Sequence, residues 1–314
     1  MKKAPMVKVL YIVGVERSGS TICQNVFAQI ENFFAVGELR FIWDQALLEG
    51  RPCGCGVAVD QCPAWSAILE ETFGETIGEQ ITTMAALNRK VRDRFSPIIF
   101  LPGHRWFLQK RLGTYIANLE KLYRAIQEQT NCRVIVDASK SLFYAYLLST
   151  IPSIDLYIIH LVRDVRGVEY SLQKRKASGH PRLQQYSTIR GALTWLALNS
   201  LIEFLGRAIT TRVLRIRYED FISQPQQYGK DILRFIGESE SIVPVTDDGS
   251  IDLQPTHTIV GSPSRFHTGN IKLELDALWR DLLPWSKKLL VSGLALPLLI
   301  RYKYLGHSKI LVRS

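Results

Sequence analysis

The sequence lacks the features that mark a secreted or membrane-spanning protein. Its five cysteines among 314 residues are too few, and odd in number, for a disulfide framework. The apolar residues 7–15 follow Lys2 and Lys3 as in a signal peptide, but Lys8 interrupts them and no small-residue cleavage site follows. A buried parallel strand accounts better for the same residues. We therefore expect a cytoplasmic protein.

Long hydrophobic runs are also missing. The apolar C-terminal stretch 289–300 is too short for a membrane span, which takes roughly twenty residues, and Gly293 and Pro297 interrupt it. We expect a C-terminal apolar helix over 286–305 that docks on the rest of the chain, and we favour this over membrane contact.

Positive charge is in excess but is not concentrated. The chain has 39 Lys and Arg against 29 Asp and Glu, a net charge of +10, which raises the local concentration of anionic ligands. Nucleic-acid modules usually cluster their basic residues, whereas here only short groups occur, such as Lys174-Arg175-Lys176. Charge alone therefore indicates an anionic partner without choosing between nucleic acid, a membrane surface and a phosphorylated cofactor.

Short runs rich in Val, Ile and Leu alternate with helical patterns. The runs are Val7–Val13, Arg133–Val136, Leu156–Leu161 and Arg212–Ile216, with a long, mostly helical insertion between the first two. This alternation predicts an α/β fold, a P-loop-like parallel sheet flanked by helices, with helical and loop insertions that form a ligand pocket.

Neither a repeat nor a low-complexity linker divides the chain. We therefore expect a single domain over 1–314 with a core at about 7–285. Residues 238–270 are rich in Ser, Asp, Pro and Gly, a composition that predicts an extended loop.

The first apolar run leads into an incomplete P-loop. Gly14 and Gly19 have the Gly-x-x-x-x-Gly spacing, and a helical pattern follows them. Backbone N–H groups and a helix N-terminus in such a unit hold a phosphate. A loop for ATP or GTP has Lys directly after the second Gly; here Ser20 stands there, and Arg17 precedes it by three residues. The loop therefore suits a phosphate-like anion other than a magnesium-bound nucleoside triphosphate.

Three further motifs place charged residues near predicted strand ends. Arg163 follows the third run with Ser171 eight residues later, a pairing that suits a second phosphate. Lys140 follows the second run, and Glu38 ends the first crossover segment, where a carboxylate could act as a general base. Each also has an ordinary structural interpretation: an ion pair for Arg163, a solvated Lys140, a helix cap for Glu38.

The cysteines invite a metal interpretation. Cys53-Gly54-Cys55 is followed by Cys62, but Cys-x-Cys is not the usual Cys-x-x-Cys spacing and the sequence offers no evident fourth ligand. We expect reduced thiols in a Gly-rich loop and no metal site.

Taken together, the motifs resemble those of sulfotransferases that use 3′-phosphoadenosine 5′-phosphosulfate (PAPS). The loop at 14–21, the Arg163 and Ser171 pair, residues 217–220 and residues 261–265 occur in the order typical of that family. The resemblance covers about residues 7–285, and the cysteine stretch looks like one found in bacterial members.

The resemblance implies a role for each motif residue. The 5′-phosphosulfate would be bound by Arg17, Ser18, Gly19, Ser20 and Thr21. The 3′-phosphate would be bound by Arg163 and Ser171, with Arg265 joining them. Tyr218 would lie near the adenine, and Lys140 would contact the sulfuryl group. The implied product is adenosine 3′,5′-bisphosphate, and the transfer would need no metal.

One departure from the family concerns the base. Cytosolic members commonly carry a catalytic His just after the Lys, where this chain has Ser141, Leu142 and Phe143. The spacing from Arg17 to Glu38 is instead similar to that of tyrosylprotein sulfotransferases, which use a Glu in a Gly-Glu motif. We therefore expect Glu38 as general base, Lys140 and Arg17 as its catalytic partners, and His160 as a structural residue.

The predicted activity is sulfuryl transfer from PAPS to a hydroxyl or amine of a small-molecule acceptor, without nucleic acid as partner. Two alternatives stay open from the residues: a P-loop kinase acting on a nucleoside or small molecule, and a non-enzymatic anion-binding module. The acceptor is expected between residues 80–115 and 238–262, where Trp106, Phe107 and Tyr115 offer aromatic surface. The sequence does not indicate the oligomeric state.

Overall fold

A parallel sheet forms the centre of the fold. The computed structural model describes residues 6–178, 187–209 and 212–305. Within them, five parallel strands are arranged in the order β2-β3-β1-β4-β5. Their bounds are β1 Val7–Val13, β2 Phe33–Gly37, β3 Val134–Lys140, β4 Ile154–Val162 and β5 Val213–Arg217.

Four of these strands confirm the runs predicted from the sequence, with ends shifted by a few residues in three of them. The strand β2 was missed, because its five residues lie inside a segment that we expected to be mostly helical. It pairs in parallel with β3, so that Phe33 lies opposite Val134. Glu38 therefore follows a strand end rather than a helical crossover.

Helices cover both faces of the sheet. The described helices are α1 Ser20–Phe27, α2 Pro63–Phe73, α3 Ile77–Asn88, α4 His104–Thr130, α5 Leu142–Ser149, α6 Val165–Ala177, α7 Thr188–Ile209, α8 Tyr218–Ser223, α9 Pro225–Phe235, α10 Trp279–Leu282, α11 Trp285–Leu294 and α12 Leu296–Arg301.

Strand periodicity decides which helices each face meets. Val9 and Tyr11 of β1 belong to a core built with α2, α4 and α5. Leu10 and Ile12, which point the opposite way, belong to a core built with α1, α8 and α9. The sheet is thus a buried middle layer, as all-parallel sheets generally are.

The segment 238–270 departs from the extended loop predicted for it. It contains β6 Ser250–Leu253 and the start of β7 Gly269–Lys272, which pair as an antiparallel hairpin. Further along, Ile259 bridges to Gly37 at the end of β2. This late segment is therefore held against the sheet edge.

The apolar C-terminal stretch forms two short helices, α11 and α12. Val291, Ala295 and Leu299 are fully buried in a cluster that includes Trp195 of α7. No helix within the described residues has the length and apolar character to cross a membrane. The chain ends 1–5 and 306–314 of the predicted single domain lie outside the described residues.

Candidate active site

The carboxyl ends of the strands converge on one cavity. Its volume is about 870 Å³, and its lining includes the loop between β1 and α1, Glu38, Lys140 and Arg163. β1 lies between β3 and β4, so the chain crosses to opposite sides of β1 at this point. Open α/β sheets bind ligands at such a switch point. The sheet thus brings four of the sequence motifs together.

Gly19 allows the loop after β1 to close tightly. It has φ 92°, and a Cβ at this position would lie 2.3 Å from a carbon of the Tyr218 ring. The helix α1 begins at the next residue, Ser20, so the N–H groups of its first turn have no intrahelical acceptor. The hydroxyl of Ser18 is buried and has no hydrogen-bond partner among the described residues. These donors suit an oxyanion.

Guanidinium groups crowd the same loop. Arg17 Nε donates to Ser171 Oγ at 2.8 Å, and Arg163 donates to the carbonyl of Arg17 at 3.1 Å. Burial, together with Arg175 and Arg163, lowers the pKa of Arg17. A bound anion would relieve this repulsion. The predicted residues Arg163 and Ser171 therefore both contact Arg17.

Tyr218 and Asp276 orient Arg163. The guanidinium carbon of Arg163 lies 4.6 Å from the centre of the Tyr218 ring, and its Nη2 donates to the Asp276 carboxylate at 2.9 Å. Asp276 was absent from the predicted site, because it lies 113 residues after Arg163 on a loop without a motif. Its carboxylate accepts a hydrogen bond from an Arg163 N–H group that an anionic ligand would otherwise use.

Glu38 and Lys140 form an ion pair at the cavity wall. They follow or end the neighbouring strands β2 and β3, and the Lys140 ammonium donates a hydrogen bond to the Glu38 carboxylate. Lys140 and Arg17 have φ of 66° and 69°, values that residues with a Cβ rarely adopt. Strained backbone of this kind concentrates at functional sites.

Two sets of predicted residues lie elsewhere. Arg265 is buried outside the cavity lining and donates to the carbonyls of Thr258 and Pro52, both at 2.8 Å, so its role at the 3′-phosphate stays a prediction. Tyr115 is fully buried and bonds Asn88, while Trp106 is 68% exposed. These two aromatic side chains, like Phe107, do not line the cavity.

Other residues of the predicted acceptor segments do line it. Asp93, from the first segment, accepts a hydrogen bond from Ser141 Oγ at 2.7 Å, and Val260 and Gly261 come from the second. Thr194 and Leu198 of α7 also line the cavity. Asp93 was missed because a single Asp between helices carries no motif.

His160 lies in the core. It is 1% exposed, and its Nε2 is 2.9 Å from Asn199 Oδ1. Burial lowers the pKa of His160 to about 4. A neutral, buried imidazole with this partner fits the structural role expected for it.

The comparison with protein-family models identifies the family. A model described as the sulfotransferase family matches residues 10–241. No curated protein matches significantly. Among solved structures, the sulfotransferase domain of the Synechococcus PCC 7002 olefin synthase is similar at 20% identity and TM-score 0.48, covering 95% of this chain and 96% of that one.

Two further solved structures are similar at low identity. The sulfotransferase domain from the curacin biosynthetic pathway matches at 19% identity and TM-score 0.49, with 94% and 98% of the two chains covered. Sulfotransferase STF9 from Mycobacterium avium matches at 12% identity and TM-score 0.45, with 76% and 67% covered.

Proposed function

The chain belongs to the sulfotransferase family, and we propose that it transfers a sulfuryl group from PAPS to a hydroxyl or amine of a small-molecule acceptor. The observation that carries the proposal is that one cavity holds an incomplete P-loop, a cluster of guanidinium groups and the Glu38–Lys140 pair. PAPS carries a phosphosulfate at the 5′ position and a phosphate at the 3′ position, which matches two anion sites.

The two ends of the donor would be held by different elements. The N–H groups at the start of α1, the Ser18 hydroxyl and Arg17 suit the phosphosulfate. Arg163 and Ser171 suit the 3′-phosphate once Arg163 turns from Asp276. Tyr218 packs on Gly19 and under Arg163, so its ring could stack beside the adenine.

Transfer would follow an in-line displacement. The acceptor oxygen or nitrogen forms a bond to sulfur while the bond from sulfur to the bridging phosphate oxygen breaks, and adenosine 3′,5′-bisphosphate leaves. The acceptor proton passes to the Glu38 carboxylate. Lys140 and Arg17 stabilise the charge on the sulfuryl and leaving oxygens. The ion pair with Lys140 holds the Glu38 carboxylate at the cavity wall, where it would face the acceptor.

The acceptor would approach from the side of Glu38. Phe41 and Leu198 contribute apolar surface to the cavity, and Gln45, Thr194 and Asp93 contribute polar groups. This mixture suits a small molecule with an apolar body and a hydroxyl or amine. No observation favours the kinase alternative, since Ser20 stands where a P-loop kinase has its Lys.

The proposal is tested by incubating the chain with labelled PAPS and a panel of phenolic, alcoholic and amine acceptors in magnesium-free buffer. We expect acceptor-dependent release of adenosine 3′,5′-bisphosphate. Release of labelled phosphate from ATP, dependent on magnesium, with no turnover of PAPS would contradict the proposal and favour the kinase.

A further inference from the structure

Three cysteines and one histidine lie together outside the cavity. Cys53, Cys55, Cys62 and His257 place their Sγ atoms and a ring nitrogen within 4.8 Å of one another. No disulfide joins these cysteines, and Cys53 and Cys62 are fully buried. The histidine that the sequence did not reveal as a fourth ligand comes from a segment 195 residues beyond Cys62.

Three of the distances between these four atoms are close to those of a tetrahedral zinc site. His257 Nδ1 lies 3.2 Å from Cys62 Sγ and 3.9 Å from Cys53 Sγ, and the Cys55 and Cys62 sulfurs are 3.7 Å apart. Ligands at about 2.3 Å (sulfur) and about 2.0 Å (nitrogen) from a tetrahedral Zn²⁺ are separated by roughly 3.5–3.8 Å. Since none of the distances exceeds 4.8 Å, the ligand atoms would move together by about 1 Å or less on binding an ion.

Backbone hydrogen bonds fix the loop that carries Cys53 and Cys55. Cys53 N donates to Val57 O at 2.7 Å and Gly56 N donates to Cys53 O at 2.9 Å, which closes the loop that carries Cys53 and Cys55. Gly54 N donates to Thr258 O at 2.8 Å, which joins that loop to the His257 segment. A Cβ on Gly54 would lie 2.5 Å from the carbonyl of Thr256, so only glycine allows this approach.

Residues outside the four-residue cluster hold His257 in position. The His257 ring stacks on Phe34 with 6.2 Å between ring centres, and Trp65 Nε1 donates to the His257 carbonyl at 2.6 Å. Arg265 donates to the carbonyls of Pro52 and Thr258, the residues next to Cys53 and His257. Its positive charge lies where three thiolates would leave a net negative site.

We propose that Cys53, Cys55, Cys62 and His257 bind one structural Zn²⁺. A Cys₃His set without an open position is typical of structural zinc, and thiolate ligands favour zinc over magnesium or calcium. On binding, the three thiols release their protons and His257 coordinates through Nδ1. The ion crosslinks the start of the helical insertion to the late segment.

The test is the metal content of the untagged full-length chain after dialysis into metal-free buffer, measured by inductively coupled plasma mass spectrometry. We expect one zinc per chain. Cys62→Ala should lose it, whereas the matched control Cys132→Ala, which removes a buried thiol elsewhere, should keep it. His257→Cys should also keep zinc, because four thiolates form an equivalent tetrahedral set.

Several outcomes would overturn the proposal: a folded wild-type chain without zinc, iron in its place, a Cys55–Cys62 disulfide in the denatured mass spectrum, or full zinc retention by Cys62→Ala. If Cys62→Ala does not fold, the wild-type chain is exchanged with Co²⁺. Thiolate-to-cobalt charge-transfer bands support the site, and their absence contradicts it.

A consequence for catalysis rests on the proposed function. The segment that carries His257 continues into Ile259, whose N–H donates to Val36 O at 2.9 Å, and Val260, whose carbonyl accepts from Glu38 N at 3.4 Å. Zinc removal should therefore lower kcat by about tenfold or more with adenosine 3′,5′-bisphosphate binding retained. Metal content is measured without turnover, so failure of the sulfotransferase assay leaves the zinc test intact.

Discussion

Glu38 and Lys140 are the residues on which the proposed transfer chemistry depends most. Their side chains are 16% and 18% exposed, so the pair is shielded from solvent but open to the cavity. The hydrogen bond from Lys140 fixes the position of the Glu38 carboxylate, and a general base must be held within reach of the proton that it accepts. The left-handed backbone of Lys140 points to a position fixed for function rather than for stability.

Glu38→Gln should abolish transfer and spare donor binding. The amide has nearly the same shape and can still accept from Lys140, but it cannot take a proton from the acceptor. We expect kcat to fall by about 10²- to 10⁴-fold, with adenosine 3′,5′-bisphosphate binding unchanged by calorimetry. Glu70→Gln, an exposed carboxylate on α2, is the matched control, and turnover of Glu38→Gln at the wild-type rate would refute the base assignment.

Single residues differed in how far the sequence could reveal them. Arg17, Arg163 and Ser171 belong to motifs with a recognisable spacing, and in the structure Arg163 and Ser171 both contact Arg17. Asp276 and His257 carry none, because only the folding of distant loops brings them to Arg163 and to the cysteines. The aromatic side chain of Tyr115 is equally compatible with a ligand pocket and with the hydrophobic core. In the structure it is fully buried in the core.

At the scale of elements, the loop from β1 to α1 depends on one glycine. Gly19→Ala would place a methyl group against the Tyr218 ring at 2.3 Å in a backbone conformation that favours glycine. We expect adenosine 3′,5′-bisphosphate affinity to fall by about tenfold or more, because the anion loop and the Tyr218–Arg163 stack both shift.

The matched control is Gly78→Ala in α3, where a Cβ meets nothing within 4 Å. This variant should bind adenosine 3′,5′-bisphosphate with wild-type affinity. Its free energy of unfolding should rise by about 0.5–1 kcal/mol. Isothermal titration and urea unfolding measure the two effects. Equal affinities in Gly19→Ala and Gly78→Ala would show that the loop does not need its tight closure.

Among the strands of the parallel sheet, β2 is the one that the hydrophobic pattern of the sequence did not predict. Four strands stood out as runs of Val, Ile and Leu, but β2 is a five-residue strand between helical segments and contains Phe-Phe-Ala-Val-Gly. Its identity depends on pairing with β3, a non-local contact. The hairpin of β6 and β7 was also not predicted. Its strands have only four residues each, and they lie among turn-forming residues.

For the whole molecule, the buried His160 couples stability to pH. Its pKa is lowered from 6.5 to about 4 by burial, despite Glu203 at 3.7 Å. The unfolded chain therefore binds a proton that the folded chain excludes, and stability is lost as pH falls from 6.5 towards 4. Between pH 7.5 and 5 this contribution amounts to roughly 2 kcal/mol.

His160→Gln removes the titrating group and retains a polar partner for Asn199. Urea unfolding of the wild type and the variant at pH 7.5 and 5 should show a smaller pH-dependent loss in the variant. Parallel losses in the two proteins would mean that the His160 pKa is not depressed in the folded state.

The central claim for the molecule is that two anion sites in one cavity bind the two phosphorylated ends of PAPS. On this proposal, neither site alone would distinguish PAPS from other nucleotides, but together they would require a 3′-phosphate. Charge-assisted hydrogen bonds from Arg163 to that phosphate would contribute about 1.5–3 kcal/mol, which corresponds to roughly ten- to a hundredfold in affinity.

The most direct measurement is calorimetric binding of adenosine 3′,5′-bisphosphate and adenosine 5′-monophosphate in magnesium-free buffer. The wild-type chain and the control Arg234→Ala, an exposed arginine on α9, should prefer the bisphosphate by about tenfold or more. Arg163→Ala should lose this preference. Equal affinity of the wild-type chain for the two nucleotides, or tight binding of ATP only with magnesium, would contradict the account.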